Sequence, residues 1–159
     1  MELYFPGEER MEYSWVTPRL AVGRTIASVK NMWRLAADRV THVLSLETEF
    51  DDSQITDQTG ITVCWLPQPD DLQRKPPEWF EQGVSFLDEA LSLEGTRAYV
   101  HCLAGIQRSP MMVLAYLTAS GMELGEAIAL IQRARPVAQF PTPYLLSVQQ
   151  FLRERKPQV

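Results

Sequence analysis

The sequence predicts an α/β fold with a central, mostly parallel sheet of about five strands flanked by helices. Three observations lead there. Up to about residue 100, short apolar runs rich in Val, Leu, Ile and aromatic residues alternate with longer segments of helical periodicity. Beyond residue 108 only helical periodicity remains. No repeat, low-complexity stretch or polar linker separates the two halves, so one domain over residues 1–159 is expected.

The elements follow in order. Residues 1–11 are charged, contain the turn pair Pro6-Gly7, and read as a loosely held leader. Tyr13-Ser14-Trp15-Val16 alternates as a strand does, and Leu20-Ala21-Val22 is a second short strand that stops at Gly23. Residues 30–39 read as a helix with Met32, Trp33, Leu35 and Ala36 on its apolar face. Val43–Leu46 and Ile61–Leu66 are strands, joined by the polar connection Glu47–Asp52. Four prolines between Pro67 and Pro77 exclude a helix interior or a central strand there. A helix from about Glu78 to Leu93 places Phe80, Val84, Leu87 and Leu91 at helical spacing and ends at Gly95. Arg97–Val100 is a buried strand. Helices follow over about 109–120, 124–135 and 143–154, broken by Gly121 and by the loop Gln139–Pro143.

Composition narrows the function classes. Hydrophobic residues make up 45% and charged residues 22%, an ordinary globular balance. The formal charge of −5 gives no nucleic-acid footprint and does not favour an anionic membrane. No apolar run approaches the ~20 residues that span a bilayer, so no membrane insertion is expected. Two cysteines, Cys64 and Cys102, are too few for a disulfide framework, and no signal-peptide pattern opens the chain. A monomer in the reducing cytoplasm is the expectation.

The most informative stretch is His101-Cys102-Leu103-Ala104-Gly105-Ile106-Gln107-Arg108-Ser109. It sits between a strand and a helix, where backbone N–H groups and the helix N-terminus form an anion cradle. The same groups, with Arg108, favour the thiolate of Cys102, which is the nucleophilic form. Leu103, Ala104, Ile106 and Gln107 bring no charge, so binding an anion falls to the backbone of residues 103–107 and to Arg108. Gly105 supplies the positive φ that a tight loop needs. The planar fork of Arg108 matches two phosphoryl oxygens and the charge that spreads over them in the transition state. Ser109 is placed to donate to the sulfur when it leaves. An acid is also required for the departing oxygen, and the proline-rich segment offers Asp70 and Asp71 on a loop able to close over the pocket.

This pattern resembles the signature of the cysteine-dependent protein phosphatases, most closely the dual-specificity branch. Leu66–Asp70 followed by Trp79-Phe80 is similar to that branch's acid loop and next helix. Ala115-Tyr116-Leu117 with Gly121, then Ala127 and Arg135-Pro136, resembles its helical C-terminal half, and Thr17-Pro18-x-Leu20 and Thr41–Leu44 its opening strands. The resemblance implies a nucleophile in Cys102, a phosphate-binding arginine in Arg108, a general acid in Asp70 rather than Asp71, and no metal or organic cofactor. It implies a phosphorylated protein or peptide as substrate, carrying phosphotyrosine and, in a shallow pocket, phosphoserine or phosphothreonine. A phosphoinositide, an RNA 5′-phosphate or a non-catalytic phosphate-binding module are the alternatives; the uncharged loop favours a single phosphomonoester over a polyanion. The family's asparagine or glutamine after Arg135-Pro136 has no clean counterpart, Gln139 and Thr142 being the candidates.

Other residues read more plainly. Glu47, Glu49, Asp51 and Asp52 lack the spacing of a calcium loop and read as a solvated connection. His101 reads as a group that orients Cys102, and His42 as structural. Met111, Met112 and Trp33 read as core. Cys64 reads as a small buried hydrophobe, with a disulfide to an oxidised Cys102 as the sharper alternative.

Overall fold

The computed structural model describes residues 11–155. The leader expected at 1–11 lies, apart from Met11, outside the described residues. Strands Tyr13–Thr17 (β1) and Leu20–Gly23 (β2) form a hairpin, and helix Val29–Ala37 (α1) follows. Ser28 caps α1 by accepting the Asn31 N–H. Strand His42–Ser45 (β3), a 3-10 turn at Asp52–Ile55 and strand Thr62–Trp65 (β4) come next, then helix Pro77–Ser92 (α2) with proline in its first turn. Strand Ala98–His101 (β5) leads into helices Arg108–Ala119 (α3), Leu124–Ala134 (α4) and Thr142–Glu154 (α5).

The strands lie in the order β1-β2-β5-β3-β4, and only β1 and β2 pair antiparallel. The five-stranded, mostly parallel sheet expected from the sequence is therefore present. The period of two along each strand divides the core. Leu44 and Val100 face one side, where they meet Phe80, Leu87, Met112, Tyr144 and Phe151 from α2, α3 and α5. Val43 and Tyr99 face the other, against Ile26, Met32, Leu35 and Ile55. At Gly83 the helices α2 and α3 approach closely; a Cβ there would lie 2.6 Å from the Met112 side chain.

Two sequence expectations are corrected. Trp33 is not core: it is 44% exposed and its indole N–H donates to Asp57 Oδ2 at 2.7 Å. Its place on the α1 surface lies off the stripe that Met32 and Leu35 bury. The connection after β3 is not uniformly solvated either, because Glu47 and Asp52 are fully buried. Their polarity was the wrong guide, since a buried histidine supplies partners for both.

Candidate active site

Parallel strands end together. Gly23, His101, Ser45 and Trp65 stand in register across β2, β5, β3 and β4. The loops leaving these strands meet at the sheet's carboxyl edge, where open α/β sheets form their crevices. The segment 102–107 lies at the centre of this edge, between β5 and the N-terminus of α3.

Every carbonyl from residue 103 to residue 106 is drawn outward. Leu103 O accepts from Thr25 N–H at 3.1 Å, and Ile106 O from Gln139 N–H at 2.8 Å. Arg135 donates to Gly105 O at 2.6 Å and to Ala104 O at 3.4 Å. Arg135 is itself buried and braced by Glu12 at 3.1 Å and Ser14 at 3.3 Å. With its carbonyls tied back, the loop turns amides inward, and the Gly105 N–H reaches Cys102 Sγ at 3.3 Å. Gly105 has φ +69°, and a Cβ there would lie 2.5 Å from the Gly23 carbonyl carbon. The Ser109 hydroxyl is also 3.3 Å from Cys102 Sγ. Leu103 and Ala104 are exposed at the rim, whereas Cys102 is 2% exposed.

Arg108 is as buried as Cys102, yet fully charged. Burial opposes its charge, but the Glu49 hydrogen bond and the negative charges at Cys102, Glu49 and Asp70 hold it above its ordinary value. Its Nη2 donates to Glu49 Oε1 at 3.0 Å and its Nη1 to Gln68 O at 2.8 Å. Its Nε is buried without a partner. The two Nη groups are thus fixed by protein, and the Nε donor remains unpaired. Glu49 is held below its usual carboxylate range, because Arg108's hydrogen bond and charge outweigh the cost of burial.

The two acidic residues of the proline-rich loop behave differently. Asp71 pairs with Lys75 Nζ at 2.7 Å and accepts the Gln73 N–H at 3.0 Å. The Lys75 hydrogen bond, followed by that of Gln73, holds the Asp71 carboxyl below its ordinary value, which suits a structural anion and not a proton donor. Asp70 is exposed and faces the phosphate loop. The Gln107 amide, oriented to satisfy its neighbours, donates to both Asp70 oxygens at 3.0 and 3.1 Å. The Tyr144 hydroxyl donates to Asp70 Oδ1 at 2.7 Å.

This loop does not stand open. Lys75, nearly fully buried, donates to Pro69 O at 2.7 Å; its backbone N–H donates to Ser147 Oγ at 3.0 Å. Arg74 reaches Gln150 at 2.6 Å. The loop is docked along α5.

Beneath the cradle, His101 is fully buried between two carboxylates. Its Nε2 meets Asp52 Oδ2, and its Nδ1 lies 3.4 Å from Glu47 Oε1 and 3.3 Å from the Cys102 carbonyl. Burial opposes protonation, but Asp52 and then Glu47 outweigh it, so the imidazole is held above its usual value. Burial pushes the Glu47 carboxyl up in turn, and Thr25 donates to it at 2.6 Å. Glu47, Asp52 and His101 bring ligand-type atoms within 4.8 Å of one another. Both imidazole nitrogens already face protein acceptors, so the arrangement is a proton-sharing network. His101 thus reaches Cys102 through the backbone carbonyl.

The remaining sequence candidates sort by position. Gln139 lies beside the cradle, its amide 3.1 Å from that of Gln107 and its backbone N–H on Ile106 O. Thr142 is exposed at the start of α5. The residue of that region that meets the acid is Tyr144, two positions further on; its helical periodicity marks it only as core. Glu49 was visible only as one charge in an acidic run. Cys64 pairs with Leu44 on β3, which pairs with Val100 on β5. It therefore lies two strands from β5, about 9–10 Å away. That exceeds the roughly 4.4–6.8 Å a disulfide requires. Cys64 is half-buried and its thiol is pushed up by burial, which fits a small hydrophobe.

Comparison with known proteins gives a consistent picture. Residues 26–154 match the family model for the dual specificity phosphatase catalytic domain. The chain is 29% identical over 137 residues to dual specificity protein phosphatase 22-B of Danio rerio, covering 86% of this chain and 72% of that protein. Over 137 residues it is 26% identical to dual specificity protein phosphatase 22 of Homo sapiens, covering 86% and 71%. Among solved structures, that of PTPMT1 superposes with a TM-score of 0.79 at 25% identity, covering 90% of this chain and 95% of the other. PTPMT1 has also been solved in complex with PI(5)P, and that structure superposes with a TM-score of 0.79 at 24% identity, covering 89% and 95%.

Proposed function

Since the chain belongs to the dual specificity phosphatase family and is a cysteine-dependent protein phosphatase, we propose that it hydrolyses phosphomonoesters of phosphorylated proteins through a phosphocysteine on Cys102, with Arg108 binding the phosphoryl group and Asp70 as general acid. The observation that carries this reading is the outward tether of all four carbonyls from Leu103 to Ile106, with the Gly105 N–H turned in to the Cys102 sulfur. Arg108 Nε is buried without a hydrogen-bond partner, a donor left for the phosphoryl group.

In the first step Cys102 Sγ attacks phosphorus as the ester P–O bond breaks, and Asp70 passes its proton to the departing oxygen. Charge on the equatorial oxygens is met by the backbone N–H groups of residues 103–107 and by Arg108. In the second step Asp70, now a carboxylate, takes a proton from water as the new P–O bond forms. The P–S bond then breaks, and the sulfur leaves as thiolate toward the Ser109 hydroxyl and the Gly105 N–H. Inorganic phosphate is released and both side chains return to their starting state. His101 supports the loop from below through the Cys102 carbonyl. No step calls for a metal or organic cofactor.

The substrate class we favour is phosphotyrosine with phosphoserine and phosphothreonine in protein, and the monomeric, cytoplasmic, single-domain character expected from the sequence belongs to the same reading. The uncharged lining from Leu103 to Gln107 weighs against a polyanionic headgroup such as the PI(5)P seen with PTPMT1. Cys102→Ser supplies the test. Turnover of p-nitrophenyl phosphate should vanish while a phosphotyrosine peptide is still bound and trapped. Retained turnover would overturn the mechanism, and absence of a p-nitrophenol burst in the unaltered protein would favour the binding-module reading. Assay of a phosphopeptide panel beside a phosphoinositide panel decides the substrate class.

A further inference from the structure

The Tyr144 hydroxyl is the one side-chain donor that α5 aims at the acid loop's Asp70. It is buried, it donates to Asp70 Oδ1 at 2.7 Å, and it accepts the Leu72 N–H at 3.1 Å. That second bond fixes the hydroxyl's orientation: with a lone pair committed to Leu72, its proton points at Asp70. Leu72 itself has φ +60°, so the loop adopts an uncommon backbone conformation where it meets the hydroxyl. Burial first, and then the Asp70 hydrogen bond, push the phenol up to about 12, so it remains a donor throughout the working range.

We propose that Tyr144 is a positioning residue for the proton transfer, resting on the reading of Asp70 as general acid. Its hydrogen bond occupies Oδ1 and sets the plane of the carboxyl group. Oδ2, which among the described residues meets the Gln107 amide that straddles both oxygens, carries the proton that goes to the leaving oxygen and later receives the one from water. The ring's burial against the sheet makes this orientation a property of the core and not of a mobile loop. Other ties between α5 and the loop, Ser147 to the Lys75 N–H, and Gln150 and the Leu146 carbonyl to the Arg74 side chain, hold the loop without touching Asp70.

The Tyr144 hydroxyl both orients Asp70 and holds the Leu72 N–H, whereas Ser147 holds the loop alone, and the test uses that difference. In Tyr144→Phe the ring stays and the hydroxyl goes. Turnover should fall about tenfold for phenyl phosphate and phosphoserine peptide, whose leaving groups need the proton. It should fall less than about twofold for p-nitrophenyl phosphate, whose leaving group does not. Ser147→Ala removes another tie of the loop and leaves both bonds of the Tyr144 hydroxyl in place, so its loss on phenyl phosphate should be well below that of Tyr144→Phe, and a matching loss overturns the proposal. In an Asp70→Asn background, Tyr144→Phe should have no further effect on phenyl phosphate. Equal losses on both substrates in Tyr144→Phe, or an undiminished loss in the Asp70→Asn background, overturn the proposal while leaving Asp70's role intact. An Asp70→Asn variant insensitive to leaving group overturns the acid assignment itself. Independent of any Tyr144 variant, the isotope-labelled ring carbon bearing the Tyr144 hydroxyl should shift in its magnetic resonance on Asp70→Asn and stay in place on Asp71→Asn; an unmoved signal in both also overturns it.

Discussion

At the scale of single residues, the site is built by pairing each reactive group with a partner that fixes one side and leaves the other free. Arg108 shows this best, with Glu49 and Gln68 on its outer edge and an unpartnered Nε within. Glu49→Gln keeps the shape but weakens the charge-assisted bond, so the fork should lose its fixed plane. We expect kcat/KM to drop about tenfold, with KM carrying much of the change, because a charge-assisted bond of this kind contributes roughly 1.5–3 kcal/mol. Steady-state kinetics on p-nitrophenyl phosphate would check it; unchanged parameters would mean that Gln68 alone holds the arginine. Cys102 and Arg108 stood out in the sequence because they frame one short loop between a strand and a helix, and Asp70 because its proline-rich segment resembles the family's acid loop. Tyr144 and Glu49 did not, because each reaches its partner across more than fifty residues of chain, and nothing local distinguishes them from a core tyrosine and a surface acid.

At the scale of elements, the phosphate loop is a strand-to-helix turn that cannot hold its own shape. Its carbonyls are restrained by the β2–α1 loop, by the end of α4 and by the segment before α5. Gly105 lets the loop lie against Gly23. Gly105→Ala combines a positive φ with contacts of 2.5–2.8 Å to Gly23 and Arg135, so the loop must shift. Activity should fall by about a hundredfold or more, since small displacements of this kind are costly. Thermal unfolding should move down by an amount equivalent to about 2–3 kcal/mol. Gly60→Ala shares the positive φ but meets nothing within 4 Å, and should cost only about 1 kcal/mol with activity preserved. Near-equal activity in the two variants would refute the packing argument. The acid loop makes the complementary point: prolines marked it as irregular, and docking on α5 makes it stationary.

At the scale of the whole molecule, burial of the Glu47–His101–Asp52 network ties folding to pH. His101 is held above its free value of 6.5, so folding takes up a proton between 6.5 and the folded value. Its stabilising contribution is complete below 6.5 and is lost as pH rises through the folded value. Glu47, raised above 4.5, acts in the same sense at lower pH. Glu49 and Asp71, held below 4.5 and 3.8, act oppositely: their contribution is present above those values and fades as pH falls through their folded ones. Urea unfolding followed across pH should show stability declining above 6.5, with a flatter slope in Asp52→Asn, which removes the main support for the imidazolium. Parallel slopes would mean the network does not govern this limb.

The sequence by itself determined the alternation of strands and helices, the five-strand sheet and the cysteine-to-arginine loop between β5 and α3. All of these are written in local periodicity, turn residues and fixed short spacings. Sheet order, and with it everything that depends on which loops meet, was decided only in the tertiary structure. It inserted β5 between β2 and β3, so that the polar connection after β3 closed over His101, Arg135 came to brace a loop thirty residues earlier, and Tyr144 met Asp70. The physical reason is the same in each case: a buried polar group must find a partner, and which partner it finds depends on proximity in space, which local sequence does not encode.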